Sequence, residues 1–212
     1  MGVMLLGGAD GTGGAQSTTE ILTDGGQSRA GFTLEQKIVS SCAIQLDTKV
    51  IISGGTKQSK AVKAYNIDGL IEDEVLPDLE QGRANHGCGF YVNSGNELVY
   101  LITGGFIVAN REVLSSTEIL AAGSESWSKV GDLPSPLVML KGVSFNNKIM
   151  MIGGASESGK PQNVVVSFNI TSEQWDQVGE MKEKRHSHGV SFIDTEDYSD
   201  YSDSGTDTNF CT

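Results

Sequence analysis

The sequence predicts an all-β fold built from about four copies of a four-stranded antiparallel unit. An apolar strand that ends in Gly-Gly occurs four times, with the first glycine at Gly7, Gly54, Gly104 and Gly153. These glycines are 47, 50 and 49 residues apart, so a unit of nearly constant length recurs along almost the whole chain. No segment shows the apolar period of a helix over a dozen residues, which leaves strands as the repeating element.

Other motifs recur in phase with the glycines. Thr-Glu-Ile-Leu occupies residues 19–22 and again 117–120, two periods apart. Gly-Val-Ser-Phe at 142–145 recurs at 189–192, and Gly-Cys-Gly-Phe at 87–90 is a variant of it. Because several independent markers agree on one period, chance is a poor explanation for the repeat.

The fourth unit shows the expected strands most clearly. They are predicted at 142–145, 148–152, 164–169 and 175–178, with Asn146-Asn147 turning the first hairpin. Short β-branched and aromatic runs joined by Asn and Gly turns are typical of an antiparallel meander. Four-stranded units of this length favour the blades of a β-propeller.

The order of an apolar strand, Gly-Gly, a polar loop, a second apolar strand, a Trp and a strand near His-Gly resembles the kelch repeat. The resemblance covers almost the whole chain and is cleanest around Trp127 and Trp175, while Phe32 and Val75 stand near the Trp position in the first two units. It implies a kelch-type propeller, the fold of the galactose oxidase class. The two Trp rings are then expected to pack between neighbouring blades.

Residues 1–193 are expected to form this propeller domain. Its blade units would cover about 1–36 together with 186–193, then 37–81, 82–135 and 136–185. A first-type strand at 188–193 has no partner strands after it, and the strand at 2–7 has no first-type strand before it. Their pairing would close a ring of four blades without an open edge. The alternative is a portion of a larger propeller, because kelch rings usually have five to seven blades.

Charge is concentrated at the end of the chain. The sequence has 15 Lys plus Arg against 27 Asp plus Glu, a net charge of -12, and residues 194–212 hold six of the acids and no base. Such a surface repels phosphate and anionic lipid, which argues against nucleic acid and membrane partners. The acidic tail 194–212 is predicted to be disordered. Candidate modification sites are Ser199, Ser202 and Ser204 for phosphorylation and, in a secreted protein, Asn169 for glycosylation.

Three cysteines make an odd, sparse set that does not resemble a disulfide framework. Cys42 and Cys88 are assigned to one repeat slot that holds Val143 and Val190 in other units, which indicates an apolar packing position. Cys211, in the tail, is the most reactive candidate. These signs favour a reducing, cytoplasmic setting, with secretion left open as an alternative.

No catalytic constellation is found in the sequence. The run from Gly154 to Gly159-Lys160 fits the phosphate-loop pattern, but Pro161 replaces the hydroxyl residue and a strand follows where a helix is required. His186 and His188 share a strand face, and a hydrogen bond to a turn is favoured over a metal. Copper oxidases of the galactose oxidase type need more His and Tyr ligands. We expect no enzyme activity, no cofactor and no metal.

In kelch modules that recognise partners, the loops after the Gly-Gly strands and the loops that lead into the first strands share one face. The resemblance implies a basic rim on this face that suits an acidic peptide. Its expected partner-binding residues are Lys57, Arg83, His86, Arg111, Lys160, Arg185 and His186. The expected function is that of a monomeric, non-enzymatic protein-binding scaffold. Alternatives are the substrate-recognition part of a ubiquitin-ligase adaptor without its dimerising domain, or a secreted kelch protein.

Overall fold

A computed structural model describes residues 2–46, 48–55, 59–67, 71–107, 109–191 and 193. All regular secondary structure in these residues is β-strand, arranged in antiparallel sheets, which confirms the predicted all-β class. Lys57 and the tail 194–212, with Ser199, Ser202 and Ser204, lie outside the described residues.

The first two sheets follow the chain in simple meander order. Sheet 1 contains β1 (Gly2–Leu6), β2 (Gln16–Thr23) and β3 (Ser28–Ile38). Sheet 2 contains β4 (Cys42–Leu46), β5 (Lys49–Ser53), β6 (Val62–Asn66) and β7 (Ile71–Leu76). Neighbouring strands are antiparallel in both sheets. Sheet 1 therefore has one strand fewer than sheet 2 within the described residues.

The second half of the chain repeats the pattern twice. Sheet 3 contains β8 (Gly87–Val92), β9 (Leu98–Thr103), β12 (Thr117–Ala121) and β13 (Ser128–Val130), and the short ribbon of β10 (Phe106–Ile107) and β11 (Glu112–Val113) extends from it. Sheet 4 contains β14 (Lys141–Phe145), β15 (Lys148–Ile152), β16 (Gln162–Asn169) and β17 (Gln174–Arg185). Asn146 and Asn147 both have positive φ, as the predicted tight hairpin turn requires.

Three hydrophobic clusters join the sheets in chain order. Sheet 1 packs on sheet 2 around Phe32 and Tyr65, which stack with ring centroids 4.5 Å apart. Trp127 lies between sheets 2 and 3 and donates a hydrogen bond to the Pro77 carbonyl at 2.8 Å. Trp175 lies between sheets 3 and 4 and donates to Thr117 Oγ1 at 2.9 Å. Both Trp rings therefore pack between neighbouring sheets, as the repeat predicts.

The Gly-Gly pairs are required by the backbone. Gly54 and Gly55 have φ values of +56° and +105°, in the region that residues with a Cβ rarely adopt. A Cβ on Gly54 would lie 2.4 Å from the Arg83 carbonyl oxygen, which is well inside contact distance. The repeated glycines thus let each strand end turn tightly beneath an incoming loop.

The predicted pairing of residues 188–193 with residues 2–7 is not present in the described structure. β1 pairs with β2 alone among the described residues, and residues 188–191 form no strand. Val3 and Leu5 on β1 are 61% and 49% exposed. Among the described residues, hydrophobic clusters join sheet 1 to sheet 2, sheet 2 to sheet 3 and sheet 3 to sheet 4. Val190 and Ser191 line one pocket together with residues of β4, β8 and β14.

The expectation for the cysteines was also wrong, because Cys42 and Cys88 form a disulfide across sheets 2 and 3. Strand register explains the error. Cys42 lies opposite Ser53, the residue before Gly54, whereas Cys88 lies opposite Ile102, two residues before Gly104. The two cysteines thus occupy different slots of the repeat. A shift of one residue reverses the face of a strand side chain, so the assignment to a shared packing position fails.

Candidate functional site

The two sets of loops predicted to share a face are tied together by backbone hydrogen bonds. The second glycine of each pair donates to the loop that leads into the next sheet. Gly55 donates to the Arg83 carbonyl at 2.9 Å, and Gly105 donates to the Leu137 carbonyl at 2.8 Å. Gly154 donates to the Arg185 carbonyl at 2.9 Å. We call the surface formed by the loops after the Gly-Gly pairs and the loops that lead into β4, β8 and β14 the loop face.

A backbone ladder runs beneath the loop face. Ser40, Asn85, Met139 and Ser187 all adopt left-handed φ values between 54° and 62°. Asn85 N–H donates to the Ser40 carbonyl at 2.8 Å, Met139 N–H to the Asn85 carbonyl at 2.8 Å, and Ser187 N–H to the Met139 carbonyl at 3.1 Å. Each incoming loop therefore holds its neighbour, which gives the loop face a rigid base.

Four of the predicted rim residues are exposed, namely Arg111, Lys160, Arg185 and His186. Arg111 lies at the tip of the β10–β11 ribbon and Lys160 in the loop between β15 and β16. Exposed acids lie beside them: Glu112 next to Arg111, Glu157 near Lys160 and Glu183 near Arg185. This exposed part of the rim thus carries charges of both signs.

Arg83 is buried and belongs to the interior. Its guanidinium pairs with the Glu118 carboxylate, donates to the Gly104 and Ser116 carbonyls at 2.9 Å, and donates to Ser116 Oγ at 3.1 Å. Glu118 also accepts the Glu80 N–H at 2.8 Å. Because both ions are desolvated, this satisfied network fixes the loop from sheet 2 onto sheet 3.

His86 is buried as well, at the end of the same loop. Its Nε2 lies 2.9 Å from Ser53 Oγ, the hydroxyl that precedes the Gly-Gly pair of sheet 2. Burial lowers the pKa of His86 to about 3, and the charges of Arg83 and Lys141 act in the same direction. The ring is therefore neutral at ordinary pH and serves as a hydrogen-bonding strut.

His188 occupies the corresponding position at the end of sheet 4. A Cβ on Gly153 would meet His188 Cε1 at 2.8 Å, as one on Gly54 would meet His86 Cε1 at 2.8 Å. The residue before Gly153 is Ile152, which has no hydroxyl, and neither ring nitrogen of His188 has a hydrogen-bond partner in the described structure. Burial lowers the pKa of His188, helped by Arg185, Lys141 and His186.

The phosphate-loop lookalike joins two strands. Ser156 N–H donates to the Lys160 carbonyl at 3.0 Å, and Gly159 N–H donates to the Ser156 carbonyl at 2.8 Å. The loop thus satisfies its own amides, and β16 follows where a phosphate-binding helix would begin. This geometry agrees with the interpretation of the segment as a polar turn.

Neither a metal site nor a membrane-spanning helix is found in the described ranges. No group of three or more His, Cys, Asp or Glu side chains is arranged to hold a metal ion there. In the same ranges there is no helix of the length and apolar character needed to cross a membrane.

Sequence reasoning missed Glu118, although a signal for it exists. Glu118 and Glu20 hold the same place in the two Thr-Glu-Ile-Leu motifs, and Arg83 and Arg185 both stand two residues before a left-handed residue at the loop face. A search for charges of opposite sign that repeat in phase would have proposed their pairing.

The comparisons with known proteins give partial matches only, one of them to a kelch-like protein. No family model matches the chain. The chain is similar to Kelch-like protein 41b of Danio rerio, with 26% identity over 127 residues, 59% of this chain and 20% of that protein. It is also similar to N-acetylneuraminate epimerase of Pasteurella multocida (strain Pm70), with 35% identity over 49 residues, 23% of this chain and 13% of the epimerase. The chain thus spans a fifth or less of each relative.

Proposed function

We propose that the four sheets are blades of a kelch-type β-propeller and that the loop face binds a protein partner without catalysing a reaction. The observation that carries this proposal is the hydrogen-bonded base of the loop face, which presents exposed charged side chains from consecutive sheets on a rigid support. Binding residues are commonly placed on loops that a rigid scaffold positions. Partial similarity to a kelch-like protein supports the same function.

The exposed residues Arg111 and Lys160 are the best-placed cations for an acidic ligand. Each stands next to or near a glutamate, so a peptide with spaced carboxylates fits this surface better than a continuous polyanion. Arg forms two parallel hydrogen bonds to one carboxylate, whereas Lys provides a point charge. Arg83 and His86 are left out of the binding surface because their side chains are buried.

A binding experiment tests this proposal. The full chain is titrated into fluorescein-labelled peptides, one of alternating Glu and Gly residues and one of Glu alone, at low and moderate salt. Arg111→Glu combined with Lys160→Glu should weaken binding of the spaced peptide about tenfold or more. Arg111→Glu and Lys160→Glu are also measured singly. Lys148→Glu, at the exposed start of β15 away from the loop face, changes the net charge as much as either single substitution and should leave binding unchanged.

Two results would count against the loop face. One is equal loss of binding in the Lys148→Glu control, which would show that net charge alone attracts the peptide. The other is salt-insensitive binding, since interactions between exposed charges are screened as ionic strength rises.

The disulfide favours the secreted alternative for the location of this protein. Disulfides persist in oxidising compartments and are rare in the cytosol. Asn169, in the acceptor sequence Asn-Ile-Thr, is exposed at the end of β16. Its side-chain oxygen accepts the Thr171 N–H at 3.0 Å. Both features fit an extracellular or other oxidising environment.

Expression through a secretory pathway behind an added signal sequence tests this assignment. The chain should emerge with Cys42 and Cys88 unreactive to thiol reagents, and Asn169→Gln should remove a glycosidase-sensitive mass shift. A chain purified from the native cell with both thiols free would assign it to a reducing compartment instead.

A further inference from the structure

A small cavity lies between sheets 1 and 2, beside the loop face. Its volume is about 40 Å³, and its lining includes Ile38, Ile52, Gly54, Ala61 and Lys63. A cavity needs roughly 10–15 Å³ to hold one water molecule, so this one has room for about three non-hydrogen atoms. The repeat allows its surroundings to be compared with the same place at the next interface.

The segments that lead into sheets 2 and 3 align residue by residue. The carbonyls of Ile38 and Arg83 each accept a hydrogen bond of 2.9 Å from the second glycine of the preceding Gly-Gly pair. The tripeptide Leu-Glu-Gln precedes both residues at the same spacing, at 34–36 and at 79–81. Ile38 therefore holds between sheets 1 and 2 the slot that Arg83 holds between sheets 2 and 3.

The strands that face these segments align in the same way. The first glycine of each pair donates at 3.1 Å to the Ala61 carbonyl in sheet 2 and to the Ser116 carbonyl in sheet 3. Ala61 is therefore the counterpart of Ser116. Two residues further along each strand, Lys63 is the counterpart of Glu118.

The cavity has the position that the Arg83 guanidinium fills at the next interface. That guanidinium contacts the Gly104 carbonyl, the Ser116 carbonyl and hydroxyl, and the Glu118 carboxylate. The counterparts of these three residues all line the cavity, namely Gly54, Ala61 and Lys63. Ile38 is shorter than Arg and has no polar side-chain atom, so the incoming segment leaves this polar position unfilled.

The backbone around the cavity requires a hydrogen-bond donor. Gly54 is buried, and among the described residues its carbonyl accepts no hydrogen bond. The Gly104 carbonyl, its counterpart, accepts Arg83 at 2.9 Å. The Ala61 carbonyl accepts the Gly54 N–H and keeps a second lone pair, as the Ser116 carbonyl does for Arg83. A ligand in the cavity thus gains most by donating N–H groups to these two carbonyls.

Lys63 determines which donor fits. Its ammonium pairs with Glu35 on β3, and its side chain is only 19% exposed. A guanidinium or ammonium ligand would be repelled by this charge. A carboxylate would place its oxygens against the two carbonyl oxygens. A neutral carboxamide avoids both conflicts, because its NH2 group has two donors and its oxygen faces the Lys63 charge. Its three non-hydrogen atoms also match the volume of the cavity.

We propose that this cavity receives the carboxamide group of a glutamine or asparagine side chain from the protein that binds the loop face. The apolar lining from Ile38 and Ile52 would cover the methylene groups of that side chain. The preference for a carboxamide rests on the cavity alone, whereas its source in a protein partner rests on the proposed function. The experiments below test the two parts separately.

Titration with small molecules tests the cavity. The full chain is titrated with propionamide, propionate and ethylguanidinium at constant ionic strength, and the amide signals of Gly54 and Ala61 are followed by NMR. Propionamide should cause saturable shifts with a dissociation constant on the order of 10 mM. The two ions should bind about tenfold more weakly or worse. Absence of a saturable response to propionamide would mean that the cavity holds water only, which overturns the proposal.

Variants of Ala61 and Lys63 assign the response to the cavity. Ser116 Oγ contacts the Arg83 guanidinium, so the side chain at position 61 points into the corresponding space. Ala61→Leu should fill the cavity and abolish binding, whereas Ala61→Ser, the matched control, should change the affinity less than about twofold. Lys63→Glu should reverse the preference, with ethylguanidinium binding about tenfold better than propionamide. Unchanged propionamide binding by Ala61→Leu overturns the proposal.

A double substitution keeps the test valid if Ala61→Leu does not fold. Ile38→Arg combined with Lys63→Glu recreates the pair of Arg83 and Glu118, so the chain should fill its own cavity and bind neither small molecule. Thermal melting verifies that each variant folds. Retention of propionamide binding by the folded double variant would place the site elsewhere and overturn the proposal.

A peptide series tests the source of the carboxamide. In the peptide of alternating Glu and Gly, Gln or norvaline replaces each Gly in turn. At one position Gln should bind about fivefold more tightly than norvaline, and Ala61→Leu should remove this difference. Equal binding of Gln and norvaline at every position overturns the assignment to a partner side chain. Failure of the proposed function has a different sign, because none of the peptides would then respond to Arg111→Glu combined with Lys160→Glu.

Discussion

The interface between sheets 2 and 3 and the outer faces of sheets 1 and 4 carry related residues in equivalent slots of the repeat. At the interface, Arg83 meets Glu118, Ile102 is buried and His86 bonds to Ser53. On the outer faces, Arg185, Leu5 and His188 hold the corresponding slots without these contacts among the described residues. The same motif therefore contributes differently to the free energy of unfolding at different places in the chain. The neighbouring sheet decides whether its charges are paired and whether its apolar groups are covered.

The largest effect is expected when the buried ion pair is broken. Arg83→Met should lower the free energy of unfolding by about 3–5 kcal/mol, because Glu118 is left buried without a countercharge. Arg185→Met, in the same slot, should change it by less than about 0.5 kcal/mol, because the Arg185 side chain is exposed. Urea denaturation measures both. Equal losses would show that the two slots are not different, and Arg83→Met with Glu118→Leu should recover much of the stability.

The apolar slot before the Gly-Gly pair gives the second contrast. Ile102 is 2% exposed, so Ile102→Ala should lower the free energy of unfolding by about 2–5 kcal/mol through lost burial and the cavity left behind. Leu5→Ala in the equivalent slot should cost less than about 1 kcal/mol, because Leu5 is 49% exposed and much of its side chain already contacts water. A cost at Leu5 that matches the cost at Ile102 would mean that sheet 1 is covered in solution.

The disulfide is a third feature of the interface between sheets 2 and 3, because it joins β4 to β8 covalently. Replacing both Cys42 and Cys88 with Ala should lower the free energy of unfolding by about 2–4 kcal/mol. A reducing agent should lower the melting temperature of the native chain to that of the double variant and leave the variant itself unchanged. Insensitivity of the native chain to reduction would contradict the bond.

His86 contributes a pH dependence of stability that is small near neutral pH and grows only on acidification. Its pKa is about 3 in the folded chain and near 6.5 in the unfolded chain, so the unfolded state binds the extra proton between these values. The contribution of His86 is complete above about pH 6.5 and falls by about 1.4 kcal/mol per pH unit as the pH drops toward 3. Urea midpoints for the native chain and His86→Gln should therefore converge with acidification. If the urea midpoints of the two chains stayed parallel as the pH falls, His86 would be exposed to water and its assignment as a buried ring would be wrong.

Local features could be predicted because they depend on neighbours in the chain. The Gly-Gly strand ends need positive φ, and the Asn146-Asn147 turn follows from hairpin geometry. The pairing of Arg83 with Glu118 spans 35 residues and crosses between sheets, so no local pattern contains it. The cysteines were misplaced because the loop between β8 and β9, residues 93–97, is longer than the Asn146-Asn147 turn, and counting residues does not preserve strand register.

The sequence by itself determined the repeat, the all-β class, the turns and the residue types that line each unit, because all of these follow from short-range backbone geometry and apolar periodicity. The tertiary structure alone decided which repeated charges are buried, which cysteines meet and which repeated side chains stay exposed. The physical reason is that burial and pairing are properties of two surfaces in contact. Arg83 and Arg185 look alike in the sequence, and only the presence of the next sheet separates an interior strut from an exposed cation.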